Sequence, residues 1–160
     1  SEMCIRDSNY EHNELGTNSR LDSIQAAALS VRLKYVEGWN KKRRNIAKLY
    51  KEGLFDLVTT PSPEKHNSPV YNQYVIRSQQ RDKLRTFLAK KGVGTELYYP
   101  IPLHMQKGLA QTQSGEGRYP RSEEAAKTCL ALPIFPELEE DEVNYVVQTI
   151  QAFFSWYKTN

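Results

Sequence analysis

Two phenols and an imidazole lie close together in a segment that also contains two prolines. Tyr98 and Tyr99 come at the end of a predicted strand, and His104 comes after Pro100 and Pro102. Because proline fixes its own φ angle and restricts the residue before it, this segment is stiff and extended. Strand ends are where α/β layers present groups that contact ligands. Packing of the two tyrosines over the edge of a sheet is an equally open interpretation.

A second candidate lies directly before a predicted helix N-terminus, in residues 16–20. Free backbone amides, the turn that Gly16 permits and the side chains of Asn18 and Arg20 could together hold an anion such as phosphate. In the alternative interpretation, Asn18 and Ser19 only satisfy the amides of a turn. The residues alone favour neither interpretation.

The remaining polar residues give no comparable indication of chemistry. The three histidines, His12, His66 and His104, lie too far apart in sequence to suggest a local metal site. The glycines in 115–117 lack the preceding strand and the full spacing of a phosphate-binding loop. The basic run 41–44 could contact phosphates, but such a run more often forms a solvated helix face. We therefore predict no metal site.

Length and charge exclude several classes of protein. With 160 residues, the chain holds one domain or part of a larger one. Its 22 Lys and Arg against 19 Asp and Glu leave a formal net charge of +3, too small for the basic field that most nucleic-acid-binding proteins use. It contains no long apolar run, no recognisable signal peptide and no C-x-x-C motif. We expect a cytoplasmic protein that binds neither nucleic acid nor membrane.

The predicted helix that follows residues 16–20 would position this candidate anion-binding site. Asp22 and Gln25 have the spacing of a capping box, so the helix should begin at this point. Its first half has two apolar stripes, which predicts burial between partners. The stripes are Ile24, Ala28, Val31 and Tyr35, and Leu29, Leu33 and Val36. Gly38 predicts a bend or break within 36–39, and Gly53 is placed to end the helix in a left-handed conformation.

Two short strands and three further helices are predicted in the rest of the chain. Residues 70–76 and 93–99 have the composition and alternation of strands. Residues 79–91 have helical spacing, 122–130 predict a short helix, and an apolar stripe in 143–157 predicts a C-terminal helix. The pattern predicts an α/β fold in which helices cover a small sheet.

A series of short motifs runs in a fixed order along nearly all of residues 12–155. The series comprises 16–27, Trp39-Asn40, Arg43-Arg44, Ile46-Ala47, 71–77, Arg81-Asp82, Gly94-Thr95, Tyr98-Tyr99-Pro100, Pro102-Leu103-His104 and 130–133. In this combination the chain resembles the C-terminal part of the sugar-nucleotide aminotransferases of the DegT and StrS type, a family of pyridoxal-phosphate enzymes. Each motif alone is weak, and the ordered combination is specific.

The resemblance implies a fold-type-I aminotransferase, which has a large domain, a long linking helix and a small C-terminal α/β domain. Residues 9–53 would form the end of the large domain and the linking helix, and residues 54–160 would form the small domain. The family also implies a homodimer with active sites at the subunit interface. Residues 1–8 have no periodicity that joins them to the rest of the chain, and we expect them to be a non-native leader.

The resemblance further implies the cofactor pyridoxal 5'-phosphate and roles for five residues. Asn18 would reach across the dimer to the cofactor phosphate, with Arg20 shaping the same loop. Tyr98 and Tyr99 would face the nucleotide sugar, with His104 nearby. The lysine that binds the cofactor covalently would lie upstream of residue 16, so we expect no activity from this chain alone.

These roles imply transfer of an amino group from an amino acid, glutamate, to a nucleotide-linked keto-sugar, in amino-sugar or polysaccharide biosynthesis. Many relatives have His where Tyr98 stands, and a neutral phenol cannot supply an imidazolium charge to the substrate. Two alternatives stay open. One is a sugar dehydratase of the same fold, in which His replaces the covalent lysine. The other is a non-catalytic α/β binding module that uses the basic helix 40–51.

Overall fold

The computed structural model describes residues 22–106 and 119–159. In chain order these ranges contain α1 (Ser23–Leu33), α2 (Val36–Gly53), β1 (Tyr74–Arg77), α3 (Arg81–Lys90), a 3₁₀ turn (Leu103–Met105), α4 (Pro120–Thr128), β2 (Cys129–Leu132) and α5 (Glu140–Thr159). The described chain is therefore mixed α/β, as predicted. The predicted leader 1–8 and the predicted anion loop with Asn18 and Arg20 lie outside the described residues.

The chain divides into two compact units. Of the described residues, one unit comprises 22–33, 98–106 and 119–127, and the other comprises 34–97 and 128–159. The first unit contains α1, the 3₁₀ turn and almost all of α4. The second contains α2, α3, α5 and both strands, and therefore the sheet.

The second unit has an extensive apolar core, in which α5 packs against α2 and α3 and the strands pair with each other. Its buried members are Ile46, Ala47, Tyr50, Leu54, Tyr74, Ile76, Leu84, Leu88, Val93, Leu130, Leu132, Val143, Val146, Val147, Ile150 and Phe153. Full burial of one large apolar side chain contributes about 1.5–3 kcal/mol. The helical stripe predicted for the C-terminal helix is confirmed, because Val143, Val147 and Ile150 of α5 are in this core.

The sheet consists of two antiparallel strands, in which Tyr74 lies opposite Leu132 and Arg77 lies opposite Cys129. The predicted strand 70–76 begins only at Tyr74. The reason is the backbone of Tyr71, whose φ of 49° is left-handed and incompatible with a strand.

One strand prediction near the sheet was wrong, and one predicted helix has different bounds. Residues 93–99 do not form a strand, and only Glu96 pairs, through an isolated bridge to Ala131. Tyr99 has a φ of 56° and precedes Pro100, so a regular strand cannot continue to this point. The helix predicted over 122–130 instead spans Pro120–Thr128, and the next four residues form β2, which was not predicted from the sequence.

The helix boundaries confirm some predicted caps and correct others. The amide of Gln25 donates to Oδ1 of Asp22 at 2.7 Å, which confirms Asp22 as an N-cap. The predicted break lies slightly earlier than expected, at residues 34–35. The prediction of a left-handed Gly53 was wrong, because among the glycines of residues 22–106 and 119–159 only Gly92, which follows α3, has a positive φ, of 76°.

The apolar stripes of α1 are exposed in this structure, and no residue of the helix is buried. Ile24 is 84% exposed and Leu33 is 72% exposed. Their burial against other parts of a complete protein stays a prediction.

Candidate functional site

The segment that starts at Tyr98 is the part of the described chain in which the predicted site residues lie. Tyr99 is 78% exposed and Tyr98 is 37% exposed. Tyr99 adopts a φ of 56°. A left-handed conformation costs an L-residue with a Cβ about 1–2 kcal/mol. Such strained residues persist only where their surroundings hold them, and they cluster at functional sites.

Two prolines and a 3₁₀ turn continue the segment. Pro102 is the N-cap of the turn Leu103–Met105, with φ −57° and ψ 147°. The amide of Met105 donates to the carbonyl of Pro102 at 2.9 Å, and that of Gln106 donates to the carbonyl of Leu103 at 3.2 Å. The ring of Pro100 fixes one further φ angle. The prolines and the turn therefore restrict the backbone between Tyr99 and His104.

His104 lies in this turn, and its imidazole is directed at other protein groups. Its Nε2 atom lies 3.1 Å from Oε1 of Glu123, and because a carboxylate only accepts, the imidazole N–H donates. The ring of Tyr119 packs against it, with 4.9 Å between centroids and 52° between planes. The side chains of His104 and Glu123 are only 9% and 18% exposed. The pair therefore joins the turn to α4.

Glu123 and Tyr119 were not predicted from the sequence. Nothing in the local pattern indicates them, because Glu123 is 19 positions from His104 and is one of two adjacent glutamates on its helix. Asn18 and Arg20, predicted to bind the cofactor phosphate, lie outside the described residues. Tyr98, Tyr99 and His104 are described, and they occur on one continuous segment.

A second aromatic cluster lies in the core of the other unit and has a structural explanation. The hydroxyl of Tyr50 donates to the carbonyl of Pro133 at 2.9 Å, and its ring lies 5.1 Å from that of Tyr74. Burial raises the pKa of both phenols, and the neighbouring phenol adds to the effect for Tyr50. These groups are therefore neutral at physiological pH and serve packing.

The described residues contain neither a metal cluster nor a membrane span. Within residues 22–106 and 119–159, no three His, Cys, Asp or Glu side chains come together in a way that could hold a metal ion. In the same ranges, no helix is both long enough and apolar enough to cross a membrane.

Comparison with known proteins decides the family. The sequence model of the DegT/DnrJ/EryC1/StrS aminotransferase family matches residues 2–151. The chain belongs to this family. The resemblance carried by the ordered motifs is thereby confirmed.

Relatives in the aminotransferase family match most of this chain, but the match covers less than half of their own length. A pleiotropic regulatory protein of Geobacillus stearothermophilus is 44% identical over 91% of this chain and 40% of its own length. The dTDP-3-amino-3,4,6-trideoxy-alpha-D-glucose transaminase of Streptomyces venezuelae is 37% identical over 90% of this chain and 38% of its own length. The chain thus spans about 40% of the length of the curated relatives that it matches.

Solved structures of the family have the same fold over the matched part. The S. venezuelae protein DesV, solved in complex with a ketimine intermediate, matches with a TM-score of 0.82 and 36% identity, over 92% of this chain and 40% of its own. A DegT DnrJ EryC1 StrS aminotransferase from Brucella abortus matches with a TM-score of 0.79 and 34% identity, over 94% of this chain and 40% of its own. The predicted fold class, part of an aminotransferase of this type, is confirmed.

The phenols of Tyr98 and Tyr99 lack the groups that hold a cofactor phosphate. A phenol donates one hydrogen bond and carries no positive charge at neutral pH. Tyr98 and Tyr99 can therefore bind sugar hydroxyls and diphosphate oxygens, but they do not provide the charge or the set of amides that holds a phosphate dianion. The groups predicted for that task, Asn18 and Arg20, precede α1 in the part of the chain that the structure does not describe.

Proposed function

We propose that this chain is the C-terminal part of a pyridoxal-phosphate-dependent aminotransferase that acts on a nucleotide-linked keto-sugar. The supporting observation is the family match over residues 2–151, together with relatives that cover about nine tenths of the chain. In this proposal the amino donor is an amino acid, glutamate, and the product is an amino sugar for polysaccharide or other amino-sugar biosynthesis. The enzyme is cytoplasmic.

The names of the relatives support a nucleotide-diphosphate sugar as the substrate class. Besides the S. venezuelae transaminase, a relative from Aneurinibacillus thermoaerophilus, 34% identical, is a dTDP-3-amino-3,6-dideoxy-alpha-D-galactopyranose transaminase. A relative from Acidithiobacillus ferrooxidans, 35% identical, is a UDP-N-acetyl-3-dehydro-alpha-D-glucosamine 3-aminotransferase. The nucleotide differs among them and the diphosphate sugar is shared. We therefore propose the shared class for this chain and no particular nucleotide.

The cofactor supplies an electron sink that stabilises the carbanion formed during amino transfer. We propose that Asn18 and Arg20 bind its phosphate across the interface of a homodimer. These two residues directly precede α1 in sequence, and the positive dipole end of a helix N-terminus favours a bound anion. The covalent lysine is proposed to lie upstream of residue 16.

Tyr98 and Tyr99 are proposed to line the sugar-nucleotide side of the site. Their phenols would donate hydrogen bonds to hydroxyl or diphosphate oxygens and orient the keto-sugar without neutralising its charge. The left-handed φ of 56° at Tyr99 sets the direction in which its exposed side chain leaves the backbone.

The arrangement of the complete protein is also a proposal. Residues 9–53 form the end of the large domain and the linking helix, and residues 54–160 form the small domain. The exposed apolar stripes of α1 support this arrangement, since contiguous exposed apolar surface marks an interaction site. The basic helix α2 has its cations partly paired, with Arg44 at 4.0 Å from Glu37 and Lys48 at 3.9 Å from Glu52. The nucleic-acid-binding alternative therefore gains no support from it.

The experiment uses the complete protein with pyridoxal phosphate and glutamate. It is incubated with a panel of dTDP- and UDP-linked 3-keto and 4-keto sugars, and products are identified by mass. The proposal predicts that at least one keto-sugar is converted to the amino sugar, at a rate that depends on added glutamate. A product that has instead lost water would establish the dehydratase alternative, and no conversion of any keto-sugar by a folded, cofactor-loaded protein would refute the proposal.

A further inference from the structure

The His104–Glu123 pair is built as an internal connection. Both side chains are largely buried, the two paired atoms are 3.1 Å apart, and the ring of Tyr119 covers the imidazole. A ligand that bound the His104 Nε2 atom would have to break this hydrogen bond and leave the Glu123 carboxylate without the imidazole donor. Loss of one partner from a largely buried hydrogen bond is costly, because the other partner remains desolvated.

The pair is connected to the tyrosines by a short, stiff piece of backbone. Pro100 and Pro102 fix two of the φ angles between Tyr99 and His104, and the 3₁₀ turn fixes the next residues. These restraints limit how far Tyr99 can move independently of His104. Tyr99 in turn has a strained φ of 56°, which needs a restraint on its surroundings.

We infer that His104 is a positioning residue, which together with Glu123 holds the Tyr98–Tyr99 pair in place for the nucleotide sugar and does not contact the sugar itself. This inference rests on the proposed function for its substrate and deepens it. It assigns a role to Glu123, a residue with no local sequence pattern to indicate it. It also predicts that His104 and Glu123 act as one unit.

A double-mutant cycle in the complete enzyme tests whether His104 and Glu123 act together. His104→Ala and Glu123→Ala should each raise the KM for the nucleotide sugar by about tenfold, the equivalent of about 1.4 kcal/mol, and leave kcat within about twofold. The double variant should be no worse than either single variant, because each change removes the same interaction. Glu123→Gln keeps an acceptor oxygen, so its KM should stay close to the wild-type value.

Direct contact between His104 and substrate would give a different pattern. His104→Ala would then be much more damaging than Glu123→Ala, and the two effects would add in the double variant. Either result overturns the inference. His66→Ala is the matched control, since His66 also pairs with a glutamate, Glu64 at 3.3 Å, but these two side chains are 78% and 75% exposed. This control should leave KM unchanged.

Amide hydrogen exchange gives a readout that needs no turnover. In the substrate-free protein, amides of residues 103–106 should exchange faster in His104→Ala and Glu123→Ala than in wild type, while the core amides of α5 stay protected. Unchanged exchange at 103–106 would overturn the inference even if wild-type turnover is normal. Failure of the proposed function would instead appear as absent turnover in wild type, with the exchange result unaffected.

Discussion

A Cβ atom placed on Gly53 would lie 2.5 Å from Cγ1 and 3.1 Å from Cγ2 of Val147. Gly53 ends α2 and Val147 is in the middle of α5, so these helices approach each other closely at this point. The absence of a side chain is therefore required for packing and not for a left-handed backbone. Since Val147 is in the core, this contact helps to set the distance between the two helices.

Gly53→Ala should destabilise the protein. The added methyl group forces Val147 or the helices to move, and overpacking of this kind costs about 1–3 kcal/mol. Urea unfolding measures the change in the free energy of unfolding. Val147→Ala in the Gly53→Ala background should recover part of the loss, because it removes the two methyl groups that the new Cβ meets. A double variant less stable than both single variants would contradict the proposed contact.

Gly92→Ala should also destabilise, for a different reason. Gly92 has a φ of 76°, and a Cβ at this position would contact nothing within 4 Å, so only backbone strain opposes the substitution. We expect a loss of about 1–2 kcal/mol in the free energy of unfolding. Gly94→Ala is the matched control, because a Cβ there also has open space and its φ is not left-handed. Equal effects of the two substitutions would argue against the strain explanation.

Tyr50 should make the stability of the protein fall as pH rises into the alkaline range. Burial raises the pKa of its phenol above the ordinary value of 10.0, so between these two pKa values the folded state binds more protons than the unfolded state. The contribution of Tyr50 is fully present below pH 10 and is lost as pH rises above it. Urea midpoints measured across this range should fall more steeply in wild type than in Tyr50→Phe. Parallel curves would be inconsistent with a buried, protonated phenol.

Tyr50→Phe should in addition be less stable near neutral pH. The variant loses the hydrogen bond to the carbonyl of Pro133 and leaves that carbonyl unpaired with the phenol, at a cost of about 1–2 kcal/mol. The same urea titration at neutral pH measures this difference. A variant as stable as wild type would mean that water replaces the hydroxyl at no cost.

Asn18→Ala should weaken cofactor retention in the complete dimer. The proposed contact between the Asn18 amide and the cofactor phosphate is a hydrogen bond to a charged group, and its loss should raise the dissociation constant by about tenfold or more. Dialysis followed by measurement of bound pyridoxal phosphate gives the retained fraction. Asn45→Ala, an exposed position on α2, is the control. Retention equal to wild type in Asn18→Ala would remove its assigned role.

The parts of the fold that could be predicted are those determined by local pattern. The apolar period in α5, the helical spacing of α3 and the Asp22 cap each depend on residues within a few positions of one another. The structure confirms all three. The family could be recognised for a related reason, because its motifs keep their order along the chain.

The errors arise where non-local contacts or backbone strain override local preference. Residues 129–132 continue an apparent helix in sequence, but they form β2 because they pair with β1, more than 50 positions earlier. Tyr71 and Tyr99 have aromatic side chains that favour strands, yet both adopt left-handed backbones that a regular strand does not accommodate. The role of Glu123 could not be predicted from the sequence either, since only the folded chain brings it to His104.

The most direct measurement of the central proposal traces nitrogen from glutamate into the sugar. The complete protein, loaded with pyridoxal phosphate, is given glutamate with an isotopically labelled amino group and the keto-sugar nucleotide that it converts best. We predict that the label appears in the amino group of the nucleotide sugar, in amounts equal to the 2-oxoglutarate formed. A sugar product without label, from a protein that is folded and retains its cofactor, would contradict the assignment of this chain to an amino-transferring enzyme.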